Sequence, residues 1–392
     1  MKRNTVRVLG GLALALALAT GTTACGSTEA PSSPGGGGGG TQAECKGKIG
    51  FFGALSGGNA SVVIPSRDGA KLALEQFKAA NPNCSSVELV EFDTEGDPSK
   101  AAPVANQIAA NQDFVGVIGG AFSGETRQTK KTYDEAGVPM ISASATATDL
   151  TTKDQANVFH RVVGYDEMQG AAVSRYVKNV LKSTKAFVVD DSTTYGGPLA
   201  DKIKSELGSV VTAFDKVQEK QTDFAATVSK VQAAAPDVVI YAGYANEAGP
   251  FLKQLRAAGV TAKFVGTDGL YGADFPKAAG EQSEGAIVTC PCLPADKAKG
   301  TFAADFQKAF NTAPGAYAAE GFDAATIFLE GLKAGKTTRS DLLAFVKAYD
   351  KEGVTKTLKF DSKGDISEEN VVIWTYIIRG GQLVAEQEIP KA

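Results

Sequence analysis

Side-chain chemistry needs a nucleophile with a base, a cluster of metal ligands or a cradle for phosphate, and this 392-residue chain is poor in all three. Its single histidine, His160, sits in the apolar run Val158-Phe159-His160-Arg161-Val162. That is the setting of a strand residue with a satisfied polar tip, and it leaves a Ser-His-Asp relay or a zinc site without partners. Ser123 is followed by Gly124, but Ala121 stands where a nucleophile elbow needs glycine. No strand leads into G-x-G-x-x-G, and G-x-x-x-x-G-K-[ST] is absent. The expectation is a protein that catalyses nothing and holds neither metal nor cofactor.

Binding is better served. The apolar run Val115–Ile118 leads into Gly119-Gly120-Ala121-Phe122-Ser123-Gly124-Glu125-Thr126, a small-residue loop opening a helix. Free N–H groups and the positive helix end suit a carboxylate there, and Ser123 adds a hydroxyl; simple capping by Ser123 is the plainer alternative. The next strand ends in Ser142-Ala143-Ser144-Ala145-Thr146, a second hydroxyl-rich loop at the same sheet edge. Further on, Asp190-Asp191 with Tyr195-Gly196-Gly197, then Ala242-Gly243-Tyr244, then Gly266-Thr267-Asp268-Gly269 follow three more strands. Two tyrosines and a carboxylate make a clamp for an apolar body with a cationic end, although Asp268 beside glycine also fits a turn.

The elements that carry these loops alternate. Strands are expected at Ile49–Leu55, Val87–Phe92, Val115–Ile118 and Val138–Ile141, with helices at Ser66–Ala80, Ser99–Asn111 and Ser123–Ala136 between them. The pattern restarts with helix Tyr165–Leu181, strand Lys185–Val189, helix Tyr195–Leu207, strand Val210–Phe214, helix Phe224–Ala234, strand Val238–Tyr241, helix Ala245–Ala258 and strand Phe264–Gly266. Such βα alternation means parallel sheets covered by helices. Val158–Val163 has no turn cluster, so the chain passes between the two units as a strand. Strand Ala286–Thr289, helices near Thr301–Phe310, Tyr317–Ala334 and Ser340–Tyr349, and a hairpin about Gly380-Gly381 complete it. The fold class is α/β, with two similar Rossmann-like lobes.

The N-terminus reads as an export signal over residues 1–24, with Lys2, Arg3 and Arg7 before the apolar stretch Val8–Ala19. Thr22-Thr23-Ala24-Cys25 resembles a bacterial lipobox, with Thr22 where leucine is usual, and makes Cys25 the expected site of lipidation; a plain secretory peptide is the alternative. Residues 25–44 include six consecutive glycines and form a flexible leash with a reach of roughly 20–25 Å. The formal charge of −4 gives no basic footprint for nucleic acid. The other four cysteines face an oxidising compartment. Cys45 and Cys84 each precede a strand, so a bridge is expected if those strands are parallel neighbours. Cys290-Pro291-Cys292 is read as a local disulfide, two free thiols being the alternative.

In order and spacing, these residues resemble the branched-chain amino acid-binding proteins of ABC importers, a type I two-lobed family. The likeness runs from Ile49 to about Gly380. It rests on Gly50 to Gly57, Asp93-Thr94-Glu95-Gly96-Asp97-Pro98, Ile118-Gly119-Gly120 with Ser123, Ser144-Ala145-Thr146, Tyr195-Gly196, Asp223-Phe224, Gly243-Tyr244 and Phe360-Asp361-Ser362-Lys363-Gly364-Asp365. The resemblance implies a three-strand hinge and a ligand cleft between lobes, residues 45–163 plus 292–370 forming one and 164–291 plus 371–392 the other. It implies a monomer, held to the membrane by its lipid alone, that delivers an α-amino acid, most simply branched and aliphatic, to an ABC permease. By position, the ligand carboxylate should meet Ser123 and the Thr146 hydroxyl and N–H. The ammonium should meet the Ser144 carbonyl, the Thr146 hydroxyl and Asp268, with Tyr195 and Tyr244 closing from the second lobe. Relatives usually carry glutamate at Asp268 and often an aromatic at Val62; Asn59, Phe122 and Tyr271 are further pocket candidates. A short amide, urea or aromatic acid is the rival ligand, and ligand sensing the rival role.

Overall fold

The computed structural model describes residues 45–153 and 156–391; the export signal, Cys25 and the leash lie outside them. Two sheets organise the described chain. The first contains β1 (Gly47–Gly53), β2 (Val87–Asp93), β3 (Phe114–Ile118), β4 (Met140–Ser142) and β5 (Phe159–Arg161), all parallel, in the order β2-β1-β3-β4-β5. The second repeats that order with β6 (Ala186–Asp190), β7 (Val211–Lys216), β8 (Val238–Ala242), β9 (Lys263–Gly266) and β10 (Ile287–Cys290) as β7-β6-β8-β9-β10. The hairpin β13 (Trp374–Arg379) and β14 (Gln382–Glu388) adds antiparallel to β10, after the small pair β11 (Asp350–Glu352) and β12 (Thr357–Lys359).

Strands β3, β6 and β8 are buried along their whole length, as near-continuous apolar runs require when helices cover both faces. Helix Ala60–Ala80 begins six residues before its sequence expectation, with Pro65 inside it. Packing outweighs the missing amide bond. Helix Ala60–Ala80 lies tightly on helix Ala318–Lys333, and Gly69 and Gly321 let the two backbones touch.

The expected disulfides are both present. Register pairs Gly47 with Val87, which brings the two strand starts together, and Cys45–Cys84 closes across them with Cα atoms 4.6 Å apart. Cys290 and Cys292 bridge locally. Three segments pass between the lobes, and they meet around Gly164. A Cβ there would stand 2.6 Å from Val371 Cγ1 and 3.5 Å from Pro291 Cβ.

Candidate functional site

Both lobes have a topological switch point beside their first strand, where open α/β sheets bind ligands at the carboxyl ends. The loops after β3 and β4 in the first lobe face those after β6, β8 and β9 in the second. Between them lies a small cavity of about 10 Å³, room for about one water, lined by Val62, Ala121, Phe122, Ser123, Ser144, Thr146, Tyr195, Tyr244, Asp268, Gly269 and Tyr317. That is far below the roughly 300–1,000 Å³ of pockets for drug-sized ligands, so the two faces stand almost in contact.

On the first lobe, serines stitch the two loops together. Ser142 Oγ donates to the Gly120 carbonyl at 2.7 Å, and Ser144 Oγ to that of Ala121 at 2.7 Å. Ser123 is the first residue of helix Ser123–Glu135 rather than its cap, and its hydroxyl accepts from Ala147 N at 3.1 Å. The helix start is instead held by Glu125, whose carboxylate accepts from Phe122 N at 3.2 Å and from the Thr94 hydroxyl. Burial raises the Glu125 pKa to about 7. Gly119 has φ +135° and lies against Phe52, so a Cβ would come within 2.6 Å of that carbonyl oxygen.

On the second lobe the polar groups converge on Asp268, which is buried. Its carboxylate accepts from the Tyr195 hydroxyl, from Tyr317 at 2.7 Å and from Gln169 Nε2 at 2.7 Å. Burial raises its pKa against the pull of those three donors. Tyr244 lies between Phe122 and Tyr195, its ring centroid 5.1 Å from each. Asp191 accepts from Tyr244 N at 3.1 Å and from Thr193, and burial raises it to about 7.

Three polar residues of this neighbourhood escaped the sequence reading. Tyr317 comes from the first lobe at the start of helix Ala318–Lys333 and reaches across to Asp268. Asp166 and Gln169 lie in the first turn of helix Asp166–Arg175. Asp166 is bound by its backbone N–H to the Thr146 carbonyl at 2.9 Å. Neither of its carboxylate oxygens, nor Gln169 Oε1, has a hydrogen-bond partner among the described residues. Burial first, then the charge of Asp268, raises Asp166 well above the carboxylate range, with Thr146 and Arg161 pulling the other way. Arg161 is already committed to Asp365 at 2.5 Å and to the carbonyls of Ala145 and Ala147.

Of the residues singled out in sequence, Ser123, Ser144, Thr146, Tyr195, Tyr244 and Asp268 line the cavity, with Val62 and Phe122. Ala145 does not; its carbonyl faces Arg161. Tyr271 packs on Tyr376, ring centroids 4.2 Å apart, and Asn59 lies outside the lining set. His160 is a buried strand residue against Phe360, its pKa lowered to about 4 by burial. No group of three or more His, Cys, Asp or Glu among the described residues is placed to hold a metal ion.

A cavity between two α/β lobes, lined by both and backed by buried polar groups, is the arrangement of a two-lobed solute-binding protein. The chain belongs to the periplasmic binding protein family, which it matches over residues 46–373. It is 31% identical over 335 residues to a leucine-, isoleucine-, valine-, threonine- and alanine-binding protein of Pseudomonas aeruginosa, covering 84% of this chain and 89% of that one. A Leu/Ile/Val-binding protein of Citrobacter freundii is 31% identical over 331 residues, 81% of this chain and 88% of the other. The crystal structure of the branched-chain amino acid transporter substrate-binding protein of Streptococcus pneumoniae in complex with isoleucine superposes with a TM-score of 0.80 at 26% identity, over 87% of this chain and 99% of that one.

Proposed function

We propose that this protein captures a branched-chain aliphatic amino acid outside the cytoplasm and delivers it to an ABC permease. One observation carries the reading: two buried carboxylates, Asp268 and Asp166, interact beside one small cavity, and the Thr146 hydroxyl and Arg161 only partly offset the burial of Asp166. Buried charges of one sign require an opposite charge or protonation. An α-ammonium brings one positive charge and three donors. At the other pole, Ser123, Thr146 and the start of helix Ser123–Glu135 suit the α-carboxylate. Val62, Phe122, Tyr195 and Tyr244 supply the apolar wall.

In this reading residues 45–163 with 292–370, and 164–291 with 371–392, are rigid bodies that close about the Gly164, Pro291 and Val371 crossings. The protein works as a monomer, tethered through lipid on Cys25. No helix among the described residues is long and apolar enough to cross a membrane. Calorimetry of the purified protein against leucine, isoleucine, valine, acetamide, urea and benzoate tests the ligand class. Saturable binding of the three amino acids and of none of the others is expected; binding of benzoate or an amide alone would overturn it. Cys25→Ala should move the protein from the membrane fraction to the medium, and its retention there would remove the anchor.

A further inference from the structure

Helix Ala60–Ala80 starts without the devices that usually satisfy a helix N-terminus. Its N-cap residue, Asn59, makes no capping bond, and Asn59 Oδ1 is buried with no partner among the described residues. Its first turn carries no acidic residue. Ala60 N and Val62 N are held by the carbonyls of Gly57 and Asn59, which leaves Ser61 N and the positive helix end at the rim of the cleft to be answered from elsewhere. The missing acceptor comes from the other lobe. Asp274, the first residue of helix Asp274–Ala279, accepts from Ser61 N through Oδ2 at 3.0 Å, and Ser61 Oγ in turn accepts from Asp274 N at 3.0 Å.

The two residues are 213 positions apart, and each bonds the other's backbone. The surfaces around them are cut to let the lobes meet. A Cβ at Gly272 would stand 2.5 Å from Ser61 Oγ and 3.1 Å from Val62 Cγ2, and a Cβ at Gly58 would collide with the Asn246 side chain of the other lobe. Neither Ser61 nor Asp274 lines the cavity, but Val62, the next residue, does.

We propose that Ser61 and Asp274 form a reciprocal capping latch that holds the cleft shut and so sets how long the ligand stays, without touching it. Opening the lobes uncaps helix Ala60–Ala80, and closing them restores its acceptor. The ligand-affinity part of this rests on the amino-acid reading above; the latch contact itself does not. Losing a cap of this kind changes an equilibrium constant about 2- to 30-fold, and in this proposal the bond exists in the closed state alone.

Stopped-flow fluorescence and calorimetry with leucine on wild type, Ser61→Ala, Asp274→Ala and Asp274→Asn test the positioning role. Asp274→Ala is expected to weaken affinity about 5–30-fold, with the loss in dissociation rate and the melting temperature of the empty protein unchanged. Asp274→Asn, which keeps an acceptor, should recover part of that loss. Affinity within twofold of wild type, or a loss confined to association rate or to the stability of the empty protein, overturns the latch. A ligand-free arm keeps the two readings apart. On mild oxidation, the double variant Ser61→Cys/Asp274→Cys should form a disulfide that peptide mapping places between 61 and 274. Absence of that crosslink overturns the latch whichever solute the protein binds. If wild type ignores leucine and the crosslink forms, only the choice of ligand falls.

Discussion

The two lobes share one strand order and bring opposite chemistry to the cleft. The first offers hydroxyls, backbone groups and a helix start, fixed by short serine-to-carbonyl bonds between neighbouring loops. The second offers aromatic rings and carboxylates, fixed by bonds that span long stretches of sequence, such as Tyr195 and Gln169 to Asp268. The division teaches that topology supplies only the position of a binding loop, at the carboxyl end beside the switch point. Polarity comes from the few residues after each strand. A dipolar ligand can then lie in one orientation, its anionic end toward the first lobe and its cationic end toward the second. The lobes also have a device in common. Behind the loop after β3 stands buried Glu125, and behind the loops after β6 and β8 stands buried Asp191, each raised to about 7.

The largest test of this asymmetry is Asp268→Ala. The ammonium would keep only Asp166, which burial biases toward its neutral form, so leucine affinity should fall by up to about 3–5 kcal/mol, roughly two to four decades. The melting temperature of the empty protein should change little. A calorimetric affinity within threefold of wild type would take Asp268 out of the site.

The shared device has its own signature. A carboxyl whose folded pKa is raised contributes stability that is full below its unfolded pKa and is lost as pH rises through the folded value. For Glu125 the window runs from about 4.5 to about 7, and the loss across it is roughly 3 kcal/mol. Thermal unfolding should therefore show stability declining from pH 5 to 8 on the order of that amount. Glu125→Gln, which keeps an acceptor for Phe122 N, should flatten the decline. An unchanged pH profile in that variant would assign the decline elsewhere, Asp191 being the next candidate.

Smaller effects should separate the lobes further. Tyr317→Phe removes one donor to Asp268 and should weaken leucine binding about tenfold, since hydrogen bonds to charged groups are worth about 1.5–3 kcal/mol and the other donors to Asp268 remain. Ser123→Ala should cost least, about fivefold or below, because the helix end and loop N–H groups still face the carboxylate. Reversal of that order would place the dominant electrostatics on the first lobe.

The parts of the site that were legible in sequence are those made locally. An apolar run that ends in glycine, serine or tyrosine declares both a strand and its functional end, which is how Ser123, Ser144, Thr146, Tyr195, Tyr244 and Asp268 could be named together. Adjacent strand starts likewise exposed the Cys45–Cys84 bridge. What stayed hidden depends on contacts distant in sequence. Tyr317 and Asp166 begin helices whose periodicity reads as ordinary surface and core, and their role arises from a partner on another lobe or element. Ser61 was lost because Pro65 reads as a helix breaker, whereas packing on helix Ala318–Lys333 carries the helix back to Ala60. The pair β11 and β12 is short, largely exposed and charged, with no alternation to reveal it.

The central claim is that the cleft reads both charges of one small zwitterion. Its most direct test is calorimetry of the wild-type protein with leucine, with isocaproate, which lacks the ammonium, and with leucinamide, which lacks the carboxylate. The account predicts that leucine binds and that each analogue binds at least about a hundredfold more weakly, since each leaves one pole of the site unanswered. Isocaproate binding as tightly as leucine would contradict it, because Asp268 and Asp166 would then face no cation.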